Sequence, residues 1–289
     1  MKNSKIRILR VITIIAAIAI IIAAGLAVSD AVTEPDAHIA PDYPRIDIEQ
    51  ILEKKLLTEE DYKNLFLQTG LGKPAIDDLR EASPDPVQAI TVFQDKFFED
   101  IDYVCERNSP ISKEESLVDD AGNYINGTEL APLHNGYLLI TKSSHVFGWR
   151  NGHAAMIIDA AQGQTLESVV LGTNSVVQQA EKWRNYPNFM LFRIKGTSEE
   201  LMDEIAKSAF ENLNDVPYNF MVGISSPKFK EAGEIKGTQC AHLVWEACML
   251  FGFDLDSDGG MIVTPKDIAN SPLLEIVQVY GVNPEEIWP

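Results

Sequence analysis

Three residues in this 289-residue chain combine types that do nucleophilic chemistry: Cys240, His153 and Glu167. Cys240 opens an apolar helix in "EIKGTQCAHLVWEACMLFG" (234–252), directly after a Gly-Thr-Gln turn. With Thr238 as the expected N-cap, the Cys240 backbone N–H is one of the unpaired donors of the first turn. The positive end of the helix favours a thiolate there. The same N–H can hold the oxyanion that the thiolate creates when it attacks a carbonyl. Leu243, Val244, Ala247 and Phe251 share the face that anchors this helix, and Cys248, mid-helix, reads as a small core residue. The other reading of Cys240 is the same, an ordinary buried thiol.

A thiolate needs a base. His242, two residues on, is rotated about 200° from Cys240 and faces away. His38 falls in a linker, and His134 and His145 lie in polar loops. His153 opens the apolar run "HAAMIID" (153–159), where a strand-edge histidine either meets a helix N-terminus or is satisfied by a loop carbonyl. An imidazole base is best held by a third group. Asp159 shares its face but lies about 20 Å along the strand. Glu167 sits inside the next apolar run, where an unpaired carboxylate is costly. A hairpin centred on Ala160 sets residues 153 and 167 opposite each other; one centred on Gly163 misregisters them unless a bulge intervenes. Tyr218, Gln239 and Trp149 are weaker candidates, the first two as oxyanion donors and Trp149 as groove rim.

The elements that must position these groups follow from periodicity. "GYLLITK" (136–142), "HAAMIID" (153–159), "TLESVVLG" (165–172), "FMLFRIK" (189–195) and "PLLEIVQVYG" (272–281) read as strands. Residues 198–214 read as a helix with Leu201, Ile205, Ala209 and Leu213 on one stripe. Strands in succession, rather than alternating with helices, predict an α+β fold with an antiparallel sheet packed against helices. Upstream, 46–131 reads as a helical N-terminal region, with Thr58 as a cap, Gly70 as a stop, and no element in the polar 106–130. Residues 29–45 read as a Pro- and Asp-rich linker. The uncharged run 11–28, behind Lys2, Lys5, Arg7 and Arg10, is a signal peptide or a transmembrane anchor. Either form exports the body of the chain, and an uncleaved form touches the membrane through 11–28.

The order "GWRNGHAAMIID…TLESVVLG", "YNF", "GTQCAHLVWEA…GFDLD…VTPKDIANSPLL" resembles the circularly permuted branch of the NlpC-type, papain-like cysteine hydrolases, the YiiX-like proteins. The resemblance covers about 132–280 and departs in one place: the usual "GD" before the first strand reads Asn135-Gly136. It implies a permuted papain-like domain over 132–289, with Cys240 as nucleophile, His153 as base and Glu167 as orienting residue. It also implies an extracytoplasmic hydrolase acting on a peptide, peptidoglycan or acyl-lipid substrate. The alternatives are a non-catalytic cell-wall binding module, a lipid acyl hydrolase or transferase, and a metal hydrolase using His134, His145 and His153.

Composition limits the partners. With 43 acids against 24 bases, the net charge is −19, which repels a phosphate backbone, so no nucleic acid is expected. No cofactor or metal is expected. "DLDSDGG" (254–260) begins like a calcium loop but has Pro265 where a glutamate belongs, and it reads as a solvated turn.

Overall fold

The structure, a computed structural model, describes residues 2–32, 37–109 and 111–289, with the side chains of the first helix described at 10–25. That helix, α1 (Lys2–Val32), carries the expected apolar run. Among the described residues no helix is long and apolar enough to cross a membrane; the expected span runs on to 26–28, outside the described side chains. Part of the expected linker, 33–36, also lies outside the described residues. The rest of it is not a free linker. Ala37 is buried, the Ile39 N–H donates to the Gly281 carbonyl, and the Tyr43 hydroxyl donates to the Leu67 carbonyl at 2.6 Å. Fixed partners for backbone and side chain override the composition of the stretch.

Four helices follow: α2 (Glu49–Leu52), α3 (Glu59–Thr69), α4 (Lys73–Ala82) and α5 (Pro86–Phe97). Thr58 caps α3 through a reciprocal capping box with Asp61, and Gly70 ends it at φ +70°, as the sequence predicts. The polar segment beyond α5 is where expectation and structure part. It holds a hairpin, β1 (Tyr103–Arg107) and β2 (Ser112–Leu117). Its strands carry charged residues because they build a small outer sheet with β4 (Ser144–Val146) and β5 (Trp149–Arg150), ordered β1-β2-β4-β5.

The main sheet is antiparallel and six-stranded. Its order is β10 (Leu274–Tyr280), β9 (Phe189–Ile194), β3 (Leu138–Thr141), β6 (His153–Asp159), β7 (Gln164–Glu167), β8 (Val176–Gln179). A 3₁₀ turn, Ala180–Asn185, links β8 to β9. The expected strand 165–172 stops at Glu167, and Val169, Val170 and Leu171 are exposed. Helices α6 (Glu199–Leu213) and α7 (Cys240–Met249) lie on the central strand β6. Ala154 and Ala155 are both fully buried in β6, one on each face of the sheet. Every residue of α7 from Ala241 to Cys248 is buried, and Leu243 and Val244 each contribute about 1.5–3 kcal/mol by leaving water. The short α8 (Pro265–Ala269) completes the α+β body.

One hydrophobic core joins the N-terminal helices to the sheet. The chain at 70–72 is stitched to β10 by Gly72 N–H to Val277 O and Val279 N–H to Gly70 O, both 2.8 Å.

Candidate active site

The turn before α7 is fastened by backbone bonds. Thr238 donates its N–H to Pro217 O at 3.1 Å and accepts from the Asn219 N–H at 2.7 Å. The cap itself differs from expectation: Gln239, not Thr238, is the N-cap, and its Oε1 accepts from the Ala241 N–H at 3.0 Å. Thr238 is committed elsewhere, with its hydroxyl 2.9 Å from His242 Nδ1. Cys240 is therefore the first helical residue. Its thiol donates to Gln239 Oε1 at 3.4 Å and stands half-buried on a cleft of about 800 Å³. None of the three cysteines is in a disulfide. Burial pushes the Cys248 thiol up to about 12.

His153 begins β6 opposite Thr141 of β3. Met156 pairs with Leu166 across β6 and β7, and the register slips between Ile157 and Asp159. Extended one step, this pairing sets Glu167 diagonal to His153 on the same face, within reach of long side chains. The bulge thus resolves the two hairpin registers into one intermediate between them. His153 Nε2 lies 2.7 Å from Glu167 Oε2. The imidazole stacks on the Trp183 indole, 5.5 Å between centroids at 17°.

Glu167 is 0% exposed and fully partnered. Lys182 Nζ donates to Oε2 at 2.7 Å, the Thr165 hydroxyl to Oε1 at 2.6 Å, and the Trp183 indole N–H to Oε1 at 3.2 Å. Burial raises the Glu167 pKa, but the His153 hydrogen bond, its charge and the Lys182 ammonium overcome this and lower it to about 2. Burial likewise disfavours charge on His153. Side-chain hydrogen bonds to Cys240 and Glu167, and the negative charges of both, outweigh it and raise the imidazole to about 9. With Nε2 taken by an ionised carboxylate, Nδ1 is the ring nitrogen left for the thiol. Cys240 and His153 thus share one cleft, and Glu167 holds the imidazole from behind it.

Lys182, Thr165 and Trp183 were not singled out by sequence reasoning. Thr165 was findable, since it shares a strand face with Glu167 at a spacing of two. Lys182 and Trp183 come from the 3₁₀ turn, and no periodicity places that turn beneath the sheet.

Trp149, Tyr218 and Gln239 all border the cleft. Trp149 is 64% exposed on its rim. Burial first, then the charge of Cys240, pushes the Tyr218 phenol well above its ordinary value, so it stays protonated and can donate. Gln239 is drawn into capping, and its Nε2 donates to Val263 O at 2.7 Å. Phe147 and Phe220 meet edge to face at 6.4 Å, and with Val169 and Val170 they make the exposed mouth apolar.

The other histidines are dispersed. His134 Nε2 is 2.9 Å from Asp78, and His145 Nε2 is 2.8 Å from Glu115. His242 Nε2 lies 2.6 Å from the Lys228 carbonyl. His134, His145 and His153 each face a different carboxylate, so they do not form one ligand set. Donor atoms of Cys105, Glu115 and His145 lie within 4.8 Å of one another, and Arg150 already bonds both Glu115 oxygens at 2.7 and 2.8 Å. The 254–260 turn is not simply solvated: the Asp256 side chain is fully buried, because Lys228 pairs with it.

No family model matches the chain, and no curated protein matches it. Among solved structures it is similar to the crystal structure of the metalloprotein YiiX from Escherichia coli, DUF1105. The identity is 13% and the TM-score 0.39, over 50% of this chain and 97% of that one.

Proposed function

We propose that this chain is a thiol hydrolase of the permuted papain-like, NlpC-type kind, in its YiiX-like branch. One observation carries the reading: Cys240 of α7 and His153 of β6 line the same cleft, and the buried Glu167 of β7 holds the His153 imidazole at 2.7 Å.

The chemistry follows from the partners. Glu167, held as a carboxylate, accepts from Nε2–H and fixes the imidazole tautomer. Nδ1 takes the Cys240 proton, and the sulfur attacks an amide or ester carbonyl. The Cys240 N–H at the start of α7, with the Tyr218 phenol, donates to the oxyanion. The His153 imidazolium then protonates the leaving amine or alkoxide as the carbonyl re-forms, giving a thioester. Water, deprotonated at His153 Nδ1, attacks this acyl-enzyme and releases the acid, and the proton returns to the thiol.

A second reading of the substrate rests on the rim. Trp149, Val169, Val170 and Phe220 expose apolar surface around the nucleophile, with Phe147 packed on Phe220 beside them, which favours an acyl chain over a polar stem peptide. Residues 11–28 then hold the body at the outer face of the cytoplasmic membrane, as an anchor left uncleaved.

Iodoacetamide at neutral pH tests the reading. Cys240 is expected to alkylate fastest of the three thiols, and His153→Ala to slow it about tenfold or more. Equal rates in wild type and His153→Ala remove the case for a paired nucleophile. Hydrolysis of acyl esters but not of peptides, lost in Cys240→Ala, selects the lipid reading.

A further inference from the structure

The aspartates behind the cleft wall carry an unbalanced charge. Donor atoms of Asp256, Asp258 and Asp267 lie within 4.8 Å of one another. Asp256 and Asp258 come from the loop after α7, and Asp267 from the first turn of α8. The Asp256 side chain is 0% exposed. Its Oδ2 is held by Lys228, but its Oδ1 is buried with no hydrogen-bond partner. A buried carboxylate oxygen left unmatched is costly to the fold. Three carboxylates and one ammonium leave a charge of −2, which one divalent cation cancels.

We propose that Asp256, Asp258 and Asp267 form a calcium site that braces the wall of the cleft. The donors are all oxygen, which suits a hard cation, and a glycine-rich loop suits the irregular coordination of Ca²⁺ better than the octahedron Mg²⁺ demands. "DLDSDGG" lacks a twelfth-position acid because Pro265 is there, and Asp267 supplies that acid two residues later from α8. Asp258 and Asp267 keep an oxygen for the ion: Asp258 Oδ1 accepts from the Gly260 N–H at 2.7 Å, and Asp267 Oδ2 accepts from Thr264. The ion ties this loop to α8. Residues 262–266, which lead into α8, line the cleft, and Val263 O holds Gln239, the cap of the Cys240 helix. Bound calcium therefore stiffens the support of the nucleophile.

Terbium luminescence on the full-length chain tests this, excited through tryptophan. The Trp245 indole donates to Asp254 at 2.7 Å, which places a sensitiser beside the loop. The expected result is sensitised Tb³⁺ emission displaced by Ca²⁺ at about 10⁻⁴–10⁻³ M, the range of exposed extracellular sites. Asp258→Asn should weaken both ions about tenfold, since charge count sets affinity. Asp258 is exposed and asparagine keeps its bond to Gly260, so this variant folds. Calcium should also raise the wild-type melting temperature, and raise that of Asp258→Asn less at the same concentration. No emission, emission that calcium does not displace, or equal affinity in Asp258→Asn overturns the proposal.

Discussion

Replacing Glu167 by glutamine tests the link between the carboxylate and the imidazole. The wild-type carboxylate accepts from four donors: His153, Lys182, Thr165 and Trp183. Glutamine has one oxygen and sets an NH₂ against two of those donors. Lys182 is 30% exposed and can turn to water, and the Thr165 hydroxyl can rotate, but His153 is fixed by β6 and by Trp183. Burial then works against the imidazolium with only Cys240 opposing it. A hydrogen bond to a charged group is worth about 1.5–3 kcal/mol. At 1.36 kcal/mol per pH unit, its loss lowers the His153 midpoint by about one to two, from about 9 to about 7–8. The assay is an NMR titration of the imidazole Cε1–H signals, with His153 assigned by its absence in His153→Gln. A midpoint that stays at the wild-type value, or rises, refutes the claim that Glu167 sustains the protonated base.

Lys182→Met should move the same midpoint the other way. It removes a cation from the shared carboxylate oxygen, and the rise is small because Lys182 is partly exposed and screened. Thermal stability should be flat between about pH 4.5 and 6.5. The raised His153 contributes fully below 6.5 and loses its contribution as pH climbs through about 9. The lowered Glu167 contributes fully above 4.5 and loses its contribution as pH falls toward about 2. Both shifts describe one ion pair and count once; calorimetry that places the maximum above pH 8 contradicts this. Gly152→Ala should destabilise by about 1–3 kcal/mol. Gly152 holds φ +75°, and an added Cβ would meet Thr141 O at 2.4 Å and the Trp288 ring at 2.5 Å. The same strain shifts the start of β6, so alkylation of Cys240 should slow in this variant while the unfolded-state rate is unchanged.

What the sequence discloses and what it hides have separate physical causes. Helix α7 is legible because a Gly-Thr-Gln turn followed by unbroken apolar residues has few other solutions. Its cap is not, since Thr238 and Gln239 both present a side-chain oxygen, and the choice falls to His242, which takes the threonine hydroxyl. The strand carrying His153 is legible from end to end, but its register with Glu167 depends on a bulge between Ile157 and Asp159 that one strand's composition does not encode. The run through Leu171 looks like strand because its residues are apolar; its second half is instead exposed at the cleft mouth. The opposite error hides β1 and β2. Their charged residues look like loop, but Glu115 is buried there because Arg150 and His145 arrive from β5 and β4 to pair with it. Partners supplied from distant strands reverse the local preference, and Glu167 follows the same rule. Its carboxylate is tolerable at 0% exposure only because Lys182 and Trp183 approach from a 3₁₀ turn 15 and 16 residues away. A buried acid in an apolar run therefore marks a site before its partners can be named, whereas Asp256, buried in an acid-rich loop with one oxygen unmatched, carries no such mark in its local sequence.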